Sequence, residues 1–221
     1  MRDCILCGQI FSSRPSFSQI FLIKSRLELV CPSCWGQFER IGDPHCPTCY
    51  KKGEREVCRD CKIWQDKGQA VQHQSIFSYN PAMKDYFSRY KFQGDYLLRQ
   101  VFAPIFKEGL RPFSDYQLVP IPLSQESWKV RGFNQVTAFL EAAQIDYHNL
   151  LGKKEGPAQS SKTREERLAS QQNFFLLEKA PLSSKILLVD DIYTTGATLQ
   201  GAKQLLYENG VKEIMTFSLA R

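Results

Sequence analysis

The sequence has no cysteine after position 61, no internal repeat and no low-complexity tract. No run approaches the ~18 consecutive apolar residues that a membrane-spanning helix needs, so we expect no membrane span. Near the start, Asp3 and two cysteines occupy the place where a signal peptide has its apolar core, so we expect a cytoplasmic protein. No lysine follows a glycine at Walker A spacing, which argues against a P-loop nucleotide site.

The composition is that of an ordinary globular protein. The chain has 221 residues, of which 43% are hydrophobic, and its formal net charge is +6. At ~100–200 residues per domain, this length indicates one or two domains. The modest basic excess is compatible with a polyanionic partner, although lysines on a solvated surface would give the same charge.

The cysteines form four CxxC pairs. They are Cys4, Cys7, Cys31, Cys34, Cys46, Cys49, Cys58 and Cys61. Each CxxC turn can place two thiolates on one metal ion, and two turns complete a tetrahedral Cys4 site. Pairs taken in chain order predict two structural zinc ions, while a nested pairing also fits the spacing. A dithiol redox centre and an iron–sulfur cluster are the chemical alternatives, and His45 beside Cys46 is an alternative ligand.

Predicted strands and helices alternate after the cysteines. Residues 1–64 are expected to form a zinc-ribbon module, residues 65–74 a polar linker and residues 75–221 a second domain. Strands are predicted at 75–79, 117–122, 146–151, 173–178, 185–192 and 211–221. Helices are predicted from Pro81, capped by Asn80, to Gly94, and at 96–110, 132–144 and 198–209. This alternation predicts an α/β fold, a mostly parallel sheet with flanking helices.

The most informative stretch is residues 185–200, which read KILLVDDIYTTGATLQ. An apolar strand ends in Asp190 and Asp191, and a bend of small residues then leads into a helix. Ligands of open α/β sheets bind at the carboxyl ends of strands, and a helix N-terminus suits a phosphate. The segment therefore predicts an anion site beside acceptors for sugar hydroxyls or a magnesium shell. The alternative is that the acids only cap the next helix.

These residues resemble the phosphoribosyl-pyrophosphate signature of type I phosphoribosyltransferases, which stands here as LLVDDIYTTGAT. The resemblance implies that Asp190 and Asp191 hold the ribose hydroxyls of phosphoribosyl pyrophosphate (PRPP), bound with Mg²⁺. It also implies that the bend surrounds the 5′-phosphate through Thr194, Thr195, Gly196, Ala197 and Thr198. Purine-salvage relatives have an aspartate base partner where this chain has Thr194, so the resemblance does not establish nucleobase chemistry.

The motif order along the whole chain resembles the ComF family. Two CxxC–CxxC units precede the phosphoribosyltransferase-like part, with KFQGD at 91–95, VPIPLS at 119–124 and RGFNQ at 131–135. The resemblance implies a role in natural transformation, handling incoming single-stranded DNA with a ComFA-like ATPase or helicase. It also implies a pyrophosphate loop of Ile121, Pro122, Leu123 and Ser124, with Arg131 reaching the same anion. The alternative is an active phosphoribosyltransferase of unknown acceptor.

Two further segments have charges that suit such ligands. Residues 153–172 correspond to the mobile hood loop of phosphoribosyltransferases, and Lys162, Arg164 and Arg167 there suit a pyrophosphate. Solvated charge explains them equally well. Residues 86–92 interleave aromatic and basic side chains, as single-strand binding surfaces do. Their helical spacing favours a core position for Tyr86, Phe87 and Tyr90 instead.

Overall fold

The computed structural model describes residues 1–12, 29–154, 174–177 and 181–221. Its cysteine-bearing part is made of turns and short elements. Strands β1 (Arg2–Asp3) and β2 (Ile10–Phe11) pair antiparallel. Helix α1 (Pro32–Trp35) begins after Cys31, and helix α2 (Arg59–Asp66) begins after Cys58. In the described ranges, no helix combines the length and the apolar character needed to cross a bilayer.

A parallel four-stranded sheet forms the centre of the remaining chain. The further strands are β3 (His73–Phe77), β4 (Gln117–Pro120), β5 (Leu151–Lys153), β6 (Phe174–Leu176), β7 (Lys185–Ile192) and β8 (Glu213–Ala220). The sheet order is β3-β8-β7-β4, with every neighbouring pair parallel. Residues 186–189 of β7 are fully buried, which explains their continuous apolar run.

Five α-helices accompany this sheet in the described residues. They are α3 (Pro81–Phe92), α4 (Arg99–Leu110), α5 (Gln125–Arg131), α6 (Gln135–Ala142) and α7 (Ala197–Glu208). Asn80 caps α3 as predicted, since its side chain accepts a hydrogen bond from the Met83 amide at 3.0 Å. The fold class inferred from the sequence is therefore confirmed.

Several predicted boundaries differ from the structure. The last two residues of the predicted linker 65–74 belong to β3 instead. The helix predicted over 132–144 is shorter, because Gly132, with φ of +75°, ends α5 and Asn134 caps α6. The strand predicted at 146–151 is wrong, since β5 begins at Leu151 and pairs antiparallel with β6, outside the main sheet. Lys162, Arg164 and Arg167 lie outside the described residues.

The cysteine-bearing part and the sheet share their hydrophobic cores. Cys4 and Cys31 belong to a buried cluster with Leu187 and Val189 of β7, and Trp35 packs edge-on to Phe102 at 5.5 Å. The last four cysteines belong to another buried cluster with residues 186 and 188 of the same strand. Since alternate residues of a strand face opposite sides, the two cysteine groups pack against opposite faces of the sheet.

The segment between the two cysteine groups runs along the outer edge of β3. The Ile41 amide donates to the Ile76 carbonyl at 2.9 Å, and the Ser78 amide donates to the Glu39 carbonyl at 2.8 Å. Arg40 forms an antiparallel bridge with Phe77. Residues 39–41 thus cover the carboxyl end of this edge, at residues 76–78.

Candidate ligand site and cysteine clusters

Strand β7 brings the acidic pair to the carboxyl edge of the sheet. Asp191 is buried, and its Oδ1 accepts a hydrogen bond from the Ile192 amide at 2.7 Å. Its Oδ2 forms an ion pair with the Lys91 ammonium. Asp190 is partly accessible, and its Oδ1 accepts from the Asp191 amide at 2.9 Å. The two neighbouring carboxylates therefore have different surroundings.

Their pKa values move in opposite directions. Desolvation by the surrounding protein raises the pKa of Asp190 to about 7, and the negative charge of Asp191 adds to the effect. Desolvation acts on Asp191 as well, but the charge and hydrogen bond of Lys91, with help from Gln135 and Arg131, lower its pKa. Near neutral pH, Asp191 is therefore ionised, while Asp190 is partly protonated.

Basic side chains from three distant segments surround the pair. Lys91 lies on α3 with its ammonium 4.7 Å from the ring centre of Phe87, and its positive charge acts on both aspartates. Arg131, at the end of α5, donates to Gln135 Oε1 at 3.1 Å. Lys153, on β5, adds a positive charge that acts on Asp190. The KFQGD and RGFNQ motifs thus meet at the acidic pair.

Lys91 was predicted only as part of a single-strand surface, and no sequence pattern placed Lys91, Gln135 or Lys153 beside the acidic pair. A signal for Lys91 was available, because it follows Phe87 at i+4 on the buried face of an amphipathic helix. A lysine on such a face needs an acidic partner. Gln135 and Lys153 had no comparable signal, since their approach to the acids depends on how α6 and β5 pack.

The bend after β7 presents backbone amides at the start of α7. Gly196, with φ of +83°, is the residue before the first turn, and Ala197 and Thr198 open the helix. Among the described residues, none accepts a hydrogen bond from the amides of Thr194, Thr195 or Gly196. These donors, together with the positive end of the α7 dipole, suit a phosphate.

We expect Gly196→Ala to lower the melting temperature more than an alanine substitution at a comparable glycine does. A Cβ there would lie 2.3 Å from the hydroxyl oxygen of buried Tyr193, and the left-handed backbone itself costs about 1–2 kcal/mol for a non-glycine residue. Gly210, with φ of +89°, has no atom within 4 Å of the same position and serves as the matched control. Thermal unfolding of both variants checks this, and equal losses of melting temperature would contradict the close packing of the bend.

The predicted pyrophosphate loop lies beside this site, because β4 is the neighbour of β7. The Ile121 amide donates to the Val189 carbonyl at 2.9 Å, and the Ile121 carbonyl accepts from Asn134 Nδ2 at 2.9 Å. Ser124 caps α5 by accepting from the Ser127 amide at 3.2 Å. Pro122 and Leu123, between them, are partly exposed. Helix α5 joins this loop to Arg131.

The eight cysteines form two separate groups in chain order. One contains Cys4, Cys7, Cys31 and Cys34, and the other, which we call the second cluster, contains Cys46, Cys49, Cys58 and Cys61. In each group the sulfur atoms all lie within 4.8 Å of one another, and His45 is in neither. The nested pairing is therefore not the one adopted.

Both groups fit zinc. Sulfurs ~2.3 Å from a tetrahedral zinc ion are ~3.8 Å apart. The Cys7 and Cys31 sulfurs are 3.8 Å apart, and those of Cys49 and Cys58 are 3.6 Å apart, so these cysteines are not disulfide-bonded. The Cys58 amide donates to Cys46 Sγ at 3.3 Å, as amides around zinc thiolates do. Four thiolates leave no open coordination position, which favours a structural role.

The chain is similar to known proteins over part of its length and over its whole length. A model of the phosphoribosyl transferase domain matches residues 144–221. The competence protein ComFC of Streptococcus pneumoniae is 48% identical over 218 residues, with 99% of each chain covered. ComFC of Bacillus subtilis is 36% identical over 99% of this chain and 94% of its own length. Competence protein F of Haemophilus influenzae is 26% identical, covering 87% of this chain and 90% of its own length.

The match is not confined to the sheet domain. It extends through the cysteine-bearing part, which the phosphoribosyl transferase model does not cover. With close to half of its residues identical across the full length of the pneumococcal protein, the chain belongs to the ComFC family of competence proteins.

Proposed function

We propose that the protein binds PRPP with Mg²⁺ and uses this site in handling single-stranded DNA during natural transformation. One observation carries the proposal. The acidic pair, the donor-rich bend and basic side chains from α3, α5 and β5 converge at the carboxyl edge of one parallel sheet. Such an edge is where open α/β sheets bind ligands.

Each part of the proposed site suits one part of the ligand. Asp190 and Asp191 supply oxygens for the ribose hydroxyls. The amides of Thr194, Thr195 and Gly196 supply donors for the 5′-phosphate. Lys91 and Arg131 supply positive charge for the pyrophosphate. Mg²⁺ would add charge neutralisation between the pyrophosphate and the hydroxyls.

Calorimetric titration with PRPP and Mg²⁺ tests the proposal directly. Saturable binding that requires Mg²⁺ is expected, and no binding by folded, zinc-loaded protein would refute it. Pyrophosphate release with candidate acceptors distinguishes binding alone from transferase activity. If no acceptor causes pyrophosphate release but PRPP binds with measurable affinity, the binding role is favoured.

The single-stranded DNA surface that we propose lies next to the ligand site. The aromatic face consists of Phe92, Tyr96 and Trp128, which are 65%, 37% and 53% exposed. The Arg131 guanidinium lies 5.6 Å from the Phe92 ring centre, and that of Arg99 lies 3.8 Å from the Tyr96 ring centre. Exposed rings with adjacent cations stack on bases of any sequence. Tyr86, Phe87 and Tyr90, by contrast, are buried in the core.

We expect Phe92→Ala and Trp128→Ala each to weaken single-stranded DNA binding by about 1–3 kcal/mol, the value of one stacked base. Tyr207→Ala removes another exposed aromatic side chain, from α7, and is expected to have no effect. Fluorescence anisotropy with labelled oligonucleotides across a salt series measures the change. If the Tyr207 variant loses as much affinity as the others, the aromatic face is not the contact surface.

The family membership also supports a cytoplasmic location and a partnership with a ComFA-like ATPase or helicase. Co-purification of the two proteins, with and without single-stranded DNA, tests the partnership. An ATPase that binds the DNA but never this chain would exclude it.

A further inference from the structure

Two side chains connect the second cluster to the bend after β7. Arg221 donates from Nε and Nη2 to Cys49 Sγ, at 3.2 and 3.0 Å, and from Nη1 to the Thr194 carbonyl at 3.0 Å. Trp64, on α2, donates from Nε1 to the Thr195 carbonyl at 2.7 Å. Each of two consecutive bend carbonyls is therefore held by a side chain that packs with the cysteines.

The Trp64–Thr195 contact is buried and the Arg221–Cys49 contact is partly buried, whereas the Arg221–Thr194 hydrogen bond lies at the surface. Cys49 is fully buried, and Trp64 and Tyr193 are 5% and 3% exposed. The Arg221 guanidinium lies 4.7 Å from the centre of the Tyr193 ring, which in turn packs against His73 at 4.2 Å. Hydrogen bonds in buried surroundings, such as those to the Thr195 carbonyl and to Cys49, are stronger than those at an exposed surface. The position of the bend is thus set from the cysteine side.

Holding the carbonyls also orients the amides. In a planar trans peptide, the C=O and N–H bonds point in opposite directions. The carbonyl of Thr194 shares its peptide with the Thr195 amide, and that of Thr195 shares its peptide with the Gly196 amide. Because both carbonyls face Arg221 and Trp64, both amides face away from the cysteines. They are two of the donors without a protein acceptor among the described residues.

We propose that Arg221 and Trp64 are positioning residues that make the affinity for the phosphorylated ligand depend on metal in the second cluster. This inference rests on the proposed function. Zinc would hold the Cys49 thiolate in place, and a metal-bound thiolate is a strong acceptor for a guanidinium. Without the ion, the four sulfurs lose the bonds that would fix them around one point, so Arg221 loses its anchor and the Thr194 carbonyl its donor.

The coupling must act in both directions. If metal in the second cluster strengthens PRPP binding, PRPP must strengthen metal binding by the same factor. The chain would then bind its ligand well only when its cysteines are metal-bound. This links the metal state of the protein to its ligand site without any contact between the two ligands.

Three variants test the link by two measurements, PRPP–Mg²⁺ affinity by calorimetry and zinc transfer to a chromogenic chelator. Arg221→Gln is expected to weaken PRPP binding by about tenfold and to accelerate zinc transfer, as loss of a group hydrogen-bonded to a metal ligand does. Trp64→Phe keeps the packing but removes the donor, so it should weaken PRPP binding alone. Arg55→Gln, which removes the same charge from an exposed position between Cys49 and Cys58, should change neither. PRPP should slow zinc transfer from the unaltered chain.

The outcomes separate the two proposals. If the unaltered chain binds PRPP and the Arg221 and Trp64 variants bind it equally well, the inference is wrong and the proposed function stands. If the unaltered, zinc-loaded chain does not bind PRPP, the proposed function fails and the inference fails with it. Should Arg221→Gln not fold, Arg221→Lys replaces it, because one ammonium keeps the charge but lacks the planar fork that reaches both acceptors.

Discussion

Cys61→Ser is expected to release one of two zinc ions and to abolish cooperative unfolding of the whole chain. Cys61 is fully buried, and the second cluster shares a hydrophobic core with the sheet residues Ile186 and Leu188. Binding of structural zinc contributes about 10–16 kcal/mol in zinc-finger peptides. An entire domain is stable by only about 5–15 kcal/mol. Losing the site therefore removes an energy as large as the stability of the fold.

Zinc per chain by elemental analysis and thermal unfolding by circular dichroism measure both effects. Cys7→Ser is the matched control, since Cys7 is the exposed member of the other cysteine group. It should also lose zinc and stability, because Cys4 and Cys31 share a core with Leu187 and Val189, but it should lower the melting temperature less than Cys61→Ser, because all four cysteines of the second cluster are buried. Two zinc ions per chain in the Cys61 variant, or an unchanged transition, would show that the second cluster is not a structural metal site.

Separate substitutions of the two aspartates are expected to have opposite effects on stability and the same effect on ligand binding. Asp191→Asn leaves Lys91, whose side chain is 12% exposed, without its partner, and breaking a buried pair costs about 3–5 kcal/mol. Asp190→Asn removes a group that the fold prefers to keep protonated, so it should preserve or raise stability above pH ~7. Both variants should bind PRPP at least about tenfold more weakly, the loss of one charged hydrogen bond.

The pH dependence follows from the direction of each shift. The pKa of Asp190 rises from 3.8 to about 7 on folding, so its contribution to stability declines as the pH rises between these values. The pKa of Asp191 falls, so its contribution is present above its ordinary value and is lost as the pH drops through the folded value. PRPP affinity should increase as the pH rises through ~7, because ionised Asp190 is the better acceptor.

Chemical denaturation and calorimetry at several pH values check these expectations. Asp115→Asn, at an exposed acid paired with Lys185, serves as the control for both measurements. An Asp190 variant that binds PRPP like the unaltered chain would remove that residue from the proposed site. An Asp191 variant of unchanged stability would show that Lys91 does not need its partner.

Local patterns were sufficient to predict the signature strand, its bend and the following helix. The apolar run at 186–189, the acids after it and Gly196 each determine structure within a few residues. Their conformations can therefore be predicted without knowing the tertiary structure. The CxxC pairs were equally informative, because short turns place two sulfurs together. The chain-order grouping, which spacing alone left open, depends on how the cysteine-bearing part folds against the sheet.

Long-range packing accounts for what the sequence did not reveal. Lys91 and Asp191 are a hundred positions apart in the sequence, and only the docking of α3 against the sheet brings them together. Helix α5 is short and has no buried residue, so it lacks the apolar periodicity on which prediction relies. Strand β5 was misplaced because its partner β6 lies outside the parallel sheet, where a continuous apolar run is not required.

The segment 39–41, which pairs with the edge of β3, affects how the newly made chain folds. An uncovered edge strand invites pairing with strands of other molecules, which begins aggregation. Here the cover precedes β3 in the sequence, so it leaves the ribosome before the strand that it shields. The segment that pairs with the edge of β3 is therefore already present when β3 joins the sheet. A newly made chain then need not expose the unpaired amides of that part of the edge to other molecules.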